Sequence, residues 1–308
     1  MSRERIPVVD ITALRDGSDP DGVARALHAA SRDLGFIYVS GHGIPDDVIE
    51  RARASAYGFF KSGRENRAQV RVSAQHRGWI AAGDSVMADD IKPDLKESFV
   101  WGLDGELPDD HALRGPNQWP VEPDDMQAAS MAYFRAAHEV AHHLMRGFAH
   151  GLSLPADFFL RTANCPLSRA SYVYYPPQDV EDADQFGVGP HTDFGVLTIL
   201  CQDSVGGLEV QDVNGEWLQA PPIAGTLVVN VADLLARWTD GYYTSTPHRV
   251  VNRSGRERMS LVLAWDPNPD TLIDSRTVFG EDHVAAEQPI TCGDYLLWRF
   301  GKAFTHRR

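Results

Sequence analysis

The chain has 308 residues, 43% hydrophobic and 23% charged, with 43 acidic side chains against 29 basic and a formal charge of -14. This is ordinary globular composition, and its acidic balance argues against a nucleic-acid or anionic-membrane partner. No apolar run approaches the roughly 20 residues of a membrane span, and "MSRERIPVVDIT" lacks the apolar core of a secretion signal. Cys165, Cys201 and Cys292 are odd in number, far apart and outside any CxxC pattern. Free thiols in a reducing compartment are expected, hence a cytoplasmic protein. The sequence carries no signal of oligomeric state.

In chain order, "IPVVDI" reads as a short strand. Residues 20 to 34 carry Val23, Ala26, Leu27, Ala30 and Leu34 at helical spacing. "GFIYVSGHGI" is then a strand closing in a Gly-bounded turn, and "PDDVIERARASAYGFF" a second amphipathic helix with Pro45 near its start. Residues 73 to 120, rich in Gly, Pro and Asp, read as loops with short strands. From about Gln127 to Leu152 one apolar face predicts a long helix. After Asn164 the pattern changes to short β-runs: "RASYVYY", "VLTIL", "GLEVQDVNGEWLQA", "GTLVVNV", "HRVVN", "RMSLVLAW" and "DYLLWRF". Asn214-Gly215 is a hairpin signal. Strands of this length and spacing predict a sandwich or double-sheet jelly roll, in one domain over 1–308: a helical and mixed N-terminal layer (1–164) and a β core (165–308).

The chemistry concentrates in "HTDFGVLTIL", residues 191 to 200. Residues two apart on a strand point to one face, so His191 and Asp193 either satisfy each other as a hydrogen-bonded pair or share a cation. His248, in "STPHRVVN", is the best-placed strand histidine downstream. Two imidazoles and one carboxylate on one face of a metal form the facial triad of non-haem Fe(II) oxygenases, with positions left open for substrate and oxygen. Beyond His248, Arg258 and Ser260 of "RMS" share a strand face, a fork suited to a small carboxylate.

These residues carry a near full-length resemblance. "IPVVDI", "GFIYVSGHGI", "DLKESFVWG", "NQWP", "YYPP", "HTDFGVLTIL", "GLEVQ", "GEW", "VVNVADLLARWTDGYYTSTPHRVVN" and "RMS" together resemble the isopenicillin N synthase-like branch of the Fe(II)/2-oxoglutarate-dependent oxygenases. The resemblance implies a mainly β, α+β fold with a distorted double-stranded β-helix core and the iron near one mouth. It implies that His191, Asp193 and His248 bind Fe(II), that Arg258 and Ser260 hold the distal carboxylate of 2-oxoglutarate, and that Tyr175 flanks this cosubstrate. The implied reaction uses O2 to convert 2-oxoglutarate to succinate and CO2 while oxidising an unactivated C–H bond of a small molecule, by hydroxylation, desaturation or ring closure. Three positions depart from the family pattern. Val173 stands where many plant members have Asn, Ala232 replaces the Gly of "NxGD", and "LAW" replaces the phenylalanines usual after the Arg-x-Ser strand, so that Trp265 is expected to alter the pocket's shape.

Rival readings are an iron oxygenase of the same branch that does not use 2-oxoglutarate, a zinc protease and a non-catalytic jelly-roll binding protein. The protease reading rests on "HEVAH", His138 to His142, which matches the HExxH helix. Its extended form fails, because Met145 and Phe148 occupy the Gly and third-His positions. His42 reads as structural, and His28, His76, His111, His143, His150, His283 and His306 as surface or core residues. Arg64, Arg77, Trp79, Phe99, Trp101, Trp238 and Tyr243 are the candidates for lining the substrate pocket. Their mix of aromatic and cationic character suggests a small, acidic specialised metabolite or an amino-acid derivative.

Overall fold

The computed structural model describes residues 6–85, 92–108, 110–178, 185–304 and 306. The first half supplies β1 (Val8–Asp10), α1 (Thr12–Arg15), α2 (Pro20–Asp33), β2 (Phe36–Ser40), α3 (Asp46–Lys61), α4 (Arg64–Gln69), β3 (Gly78–Ile80), β4 (Glu97–Gly102) and the long α5 (Met126–Gly151). The second half supplies β5 (Arg169–Tyr175), β6 (Val188–His191), β7 (Leu197–Gln202), β8 (Leu208–Gln211), β9 (Trp217–Gln219), β10 (Leu227–Val231), α6 (Asp233–Trp238), β11 (His248–Val250) and β12 (Arg258–Trp265). The small pair β13 (Leu272–Ile273) and β14 (Ile290–Thr291) follows, with α7 (Arg276–Phe279) between them and α8 (Cys292–Ala303) at the end. None of the described helices is long and apolar enough to cross a membrane.

Two sheets face each other. The larger has eight strands in the order β1-β2-β10-β7-β12-β5-β4-β3, and the smaller has four, β6-β11-β8-β9. Pairing is antiparallel throughout both, except for parallel β1 and β2. This is a jelly-roll core with flanking helices. Its large sheet takes β1 to β4 from the first 164 residues, so that segment extends the sheet as well as covering it.

Strand β12 shows how the layers arise. Met259, Leu261, Leu263 and Trp265 alternate onto one face and belong to the large core that includes Tyr133, Phe134 and Ala137 of α5. The Tyr133 hydroxyl donates to the Leu261 carbonyl at 3.0 Å. Arg258, Ser260 and Val262 take the opposite face, towards the smaller sheet, where Phe36, Val173, Tyr175, Val188, Leu208 and Val250 form a second, smaller core. That face carries the site.

One predicted element is corrected. "DYLLWRF" forms the middle of α8 and not a strand. The Thr291 hydroxyl caps the helix by accepting from the Asp294 amide at 3.2 Å, and the buried residues Cys292, Tyr295, Leu296, Phe300 and Ala303 follow the helical period. Short helices α6 and α7 also form where no helix is predicted. The Asn214-Gly215 hairpin forms as expected between β8 and β9, with Gly215 at φ 82°.

Candidate active site

His191 ends β6 and His248 begins β11, and the antiparallel register sets them directly opposite each other. Their ring centroids lie 4.2 Å apart. Asp193 completes the group: its Oδ1 is 3.6 Å from His191 Nε2 and 3.7 Å from His248 Nε2. One ligating atom from each of the three lies within 4.8 Å of the others, and among the described residues this is the only such convergence of three or more His, Cys, Asp or Glu.

Surrounding bonds fix the donor atoms. His191 Nδ1 faces the Gly189 carbonyl at 2.8 Å and His248 Nδ1 the Thr246 carbonyl at 3.2 Å. Each Nδ1 therefore carries the proton and turns the Nε2 lone pair to the centre. Burial, with His191 next to it, pushes His248 down to about 4, so it is neutral at physiological pH. Burial opposes ionisation of Asp193, but His248, His191 and the Asn230 amide outweigh it and hold the carboxyl far below its usual range. Asn230 Nδ2 donates to Asp193 Oδ2 at 2.9 Å. The backbone is held as tightly, because the Asp233 amide donates to the Asp193 carbonyl at 2.9 Å. Gly195 is required two residues on, since a Cβ there would lie 2.1 Å from Asp266 Oδ1. Two imidazoles and one carboxylate, with their donor atoms converging, are a donor set for a divalent transition metal.

Arg258 and Ser260 lie on the inter-sheet face of β12, both fully buried. Arg258 Nε donates to the Gly206 carbonyl at 2.6 Å, and its guanidinium carbon lies 4.7 Å from the Tyr175 ring centroid. Tyr175 is its register partner on β5, and Val173 is the partner of Ser260. Burial pushes the Tyr175 phenol up to about 12, which keeps its proton available for donation. Both Nη atoms of Arg258 and the Ser260 hydroxyl are buried without a hydrogen-bond partner. Native proteins rarely leave such donors unmet. A dry guanidinium fork beside a free hydroxyl fits one end of a dicarboxylate, so the residues present match the cosubstrate as well as the metal.

The sequence pattern of the 2OG-Fe(II) oxygenase superfamily matches residues 164–267, and that of the non-haem dioxygenase N-terminal region in morphine synthesis matches residues 6–122. A probable iron/ascorbate oxidoreductase of Dictyostelium discoideum is 32% identical over 98% of this chain and 95% of its own. This chain belongs to the 2-oxoglutarate/Fe(II) oxygenases. A homoarginine-6-hydroxylase of Oryza sativa subsp. japonica is 32% identical, with 95% of both chains covered. A full-length Neurospora crassa protein solved in complex with alpha-KG superposes with a TM-score of 0.87 at 29% identity, covering 96% of each chain. The same fungal protein has been solved with alpha-KG and thymine (TM-score 0.85, 29% identity, 96% of each chain). The protein is thus a non-haem Fe(II)/2-oxoglutarate-dependent oxygenase.

The oxygenase's cavity opens between the two sheets. His191, Asp193, His248, Val173 and Tyr175 line it, and it continues along Ser98, Val100, Ser171, Phe194 and Phe300. None of the seven predicted lining residues lies on it. Phe99 and Trp101 are fully buried in the large core, against Trp119 and Tyr172, on the opposite face of β4 from Ser98 and Val100. Trp79 turns away from Ile80 and donates to Glu97 at 2.7 Å. Trp238 packs on Phe159, Tyr243 bonds His28, Arg77 lies against Gly102, and Arg64 opens α4. The lining residues that sequence reasoning missed include His76, Lys96, Arg169, Phe194, Phe300 and Phe304. For Lys96 and Arg169 the available signal was strand alternation with Ser98 and Val173.

"HEVAH" lies on α5 without a metal geometry. The His138 and His142 rings meet edge to face at 4.5 Å, His138 stacks on Phe134, and Glu139 turns to His142 and His143. His28 bridges the hydroxyls of Tyr242 and Tyr243, each at 2.9 Å. Its partners are more than 200 residues away, which is why the sequence offered none.

Proposed function

We propose that His191, Asp193 and His248 hold the ferrous ion and that Arg258, Ser260 and Tyr175 hold the distal carboxylate of 2-oxoglutarate. The observation that carries this reading is the unmet fork: two guanidinium nitrogens and a hydroxyl, fully buried beside a triad whose lone pairs converge. When bound, iron and cosubstrate supply the activation of O2 with oxidative decarboxylation to succinate and CO2. The protein's own residues position and shield that chemistry. The Nδ1 bonds of both histidines fix the ligand tautomers, Asn230 orients the Asp193 carboxylate, and the Tyr175 ring lies against the Arg258 guanidinium, with its phenol as a further donor for the cosubstrate. Phe36, packed edge-on against His248 at 5.1 Å, helps keep water from the buried side of the site.

The primary substrate is a small molecule oxidised at an unactivated C–H bond inside the inter-sheet cavity, and the working unit is one domain spanning 1–308. The three cysteines, all free, fit residence in the cytoplasm. The test is the anaerobic protein loaded with Fe(II) and 2-oxoglutarate, which is expected to show a weak visible metal-to-ligand charge-transfer band. His191→Ala and His248→Ala each abolish it. Retention of the band and of full iron stoichiometry in both variants would overturn the triad.

A further inference from the structure

The cavity continues past the triad to Arg169, Phe194, Phe300 and His76, and this end has a defined chemistry. Along β12 the inter-sheet face runs from Arg258 to Ala264, six residues or roughly 20 Å of strand, with Val262 and Ala264 on the cavity lining. Register pairs Arg258 with Tyr175 at one end and Ala264 with Arg169 at the other. The two guanidinium side chains therefore start from opposite ends of that face, and of the two Arg169 lies on the cavity lining. Around Arg169 the walls are aromatic. Its guanidinium carbon lies 4.7 Å from the Phe300 ring centroid, and Phe300 lies 5.9 Å from Phe194, the residue directly after Asp193. His76 packs on both Phe300 and Phe304 at 4.6 Å.

Arg169 is held but not saturated. Its contacts run through Nη1, to Asp266 Oδ2 at 3.0 Å and the Leu167 carbonyl at 3.4 Å. Arg169 lies on the cavity lining, and neither of those contacts uses its Nε or Nη2. The second cation on the lining, Lys96, stands 3.7 Å from Asp94, beyond hydrogen-bond length. Asp94 and Asp266 are fully buried behind these cations. Among the described residues the one acidic side chain on the lining is Asp193, which belongs to the triad. A cationic substrate would meet two cations and no free counter-charge.

We propose that the substrate is a compact planar ring bearing an acceptor oxygen, a ring carbonyl or a carboxylate, with Arg169 donating to that oxygen and Phe194 and Phe300 packing on the ring. This rests on the iron and cosubstrate assignment above. It separates the enzyme from the hydroxylation of a guanidino amino acid for which its rice relative is named, although overall similarity alone would favour that substrate.

The test is calorimetric titration of the anaerobic Fe(II)·2-oxoglutarate enzyme with thymine, benzoate and homoarginine, alongside succinate release in air. Thymine or benzoate binds and stimulates succinate release, the two arms distinguishing ring carbonyl from carboxylate, and homoarginine does neither. The paired variant Arg169→Gln/Asp266→Asn, which leaves no unpaired buried charge, weakens the bound ring compound about 10- to 100-fold, the range for a hydrogen bond from a charged donor. Its 2-oxoglutarate affinity is unchanged, which also reports an intact fold. Tighter binding of homoarginine than of both ring compounds, failure of both to bind, or undiminished ring affinity in the paired variant overturns the proposal. The wild-type titrations decide it even if the variant does not fold. Loss of 2-oxoglutarate binding by the wild type would instead strike the cosubstrate assignment.

Discussion

Arg258 offers the sharpest perturbation, because its two possible roles predict opposite signs. The side chain is fully buried, yet one nitrogen alone is satisfied, by the Gly206 carbonyl at 2.6 Å. Both Nη atoms have no partner. In the cosubstrate-free protein this is a desolvated charge with incomplete compensation, and such groups cost stability. Arg258→Met, which keeps the aliphatic volume and discards the charge, is therefore expected to leave the apo protein as stable as wild type or more so. Binding goes the other way. Truncating one partner of a desolvated charge pair costs roughly 2–5 kcal/mol, on the order of 30- to several-thousand-fold in affinity.

The assay is titration of 2-oxoglutarate into anaerobic Fe(II) enzyme, with thermal unfolding measured with and without ligand. Wild type gains in melting temperature on adding 2-oxoglutarate, and the Met and Ala variants do not. Iron content stays at wild-type level, because the guanidinium does not belong to the triad. Arg258→Lys recovers part of the affinity, since a point charge cannot reproduce two parallel bonds. Lower apo stability combined with unaltered 2-oxoglutarate affinity would make Arg258 a structural residue and refute the reasoning.

Three further outcomes are expected. His138→Gln/His142→Gln retains iron and the charge-transfer band; loss of all bound metal with the fold preserved would return the protease reading. Burial, with His142 next to it, pushes His138 down to about 4 from an ordinary 6.5. Between those values the unfolded chain binds the extra proton, so stability is greatest above about pH 6.5 and declines towards pH 4, by about 3 kcal/mol from this group. Urea titrations of His138→Gln show a correspondingly flatter decline than wild type, and identical pH profiles would exclude a buried neutral imidazole. On β4, Phe99→Ala loses roughly 3–5 kcal/mol of stability without changing which compounds stimulate succinate release. Val100→Phe, one residue on, narrows the cavity and abolishes that stimulation while 2-oxoglutarate still binds; reversed phenotypes would mean the strand faces are misassigned.

The triad and the fork were legible because each pair is local. His191 with Asp193, and Arg258 with Ser260, lie two residues apart on a strand, and that spacing alone places each pair on one face. The meeting of His191 with His248 was reached from the chemistry of a two-imidazole, one-carboxylate triad and from the family resemblance, not from spacing. It depends on β6 and β11 pairing in one register, which no local pattern encodes. Likewise, nothing near His28 announces Tyr242 and Tyr243. "DYLLWRF" failed for another reason. A short, mostly apolar segment fits a buried strand and a helix face equally well, and the Thr291 cap that decides it lies outside the segment.

The failure over the substrate wall has one physical cause. The central strands of the large sheet separate two apolar compartments: the core under α5, and the space between the sheets that becomes the cavity. Aromatic bulk is no guide to which of the two a residue faces. Phe99 and Trp101 fill the larger core, while the smaller Ser98 and Val100, which alternate with them, border the cavity. The same logic holds across the sheet. Arg169, Ser171, Val173 and Tyr175 of β5 face the cavity, whereas Tyr172 is fully buried on the far side with its hydroxyl 2.8 Å from Ser130 of α5. A cavity needs room, so its lining takes small side chains between a few long polar ones, and the largest rings go to the compartment that must be filled. In such a sheet the productive question for sequence reading is parity with a known site residue. Counting back from Tyr175 by twos reaches Arg169, and crossing the register from Ser260 through Val173 reaches Ser98.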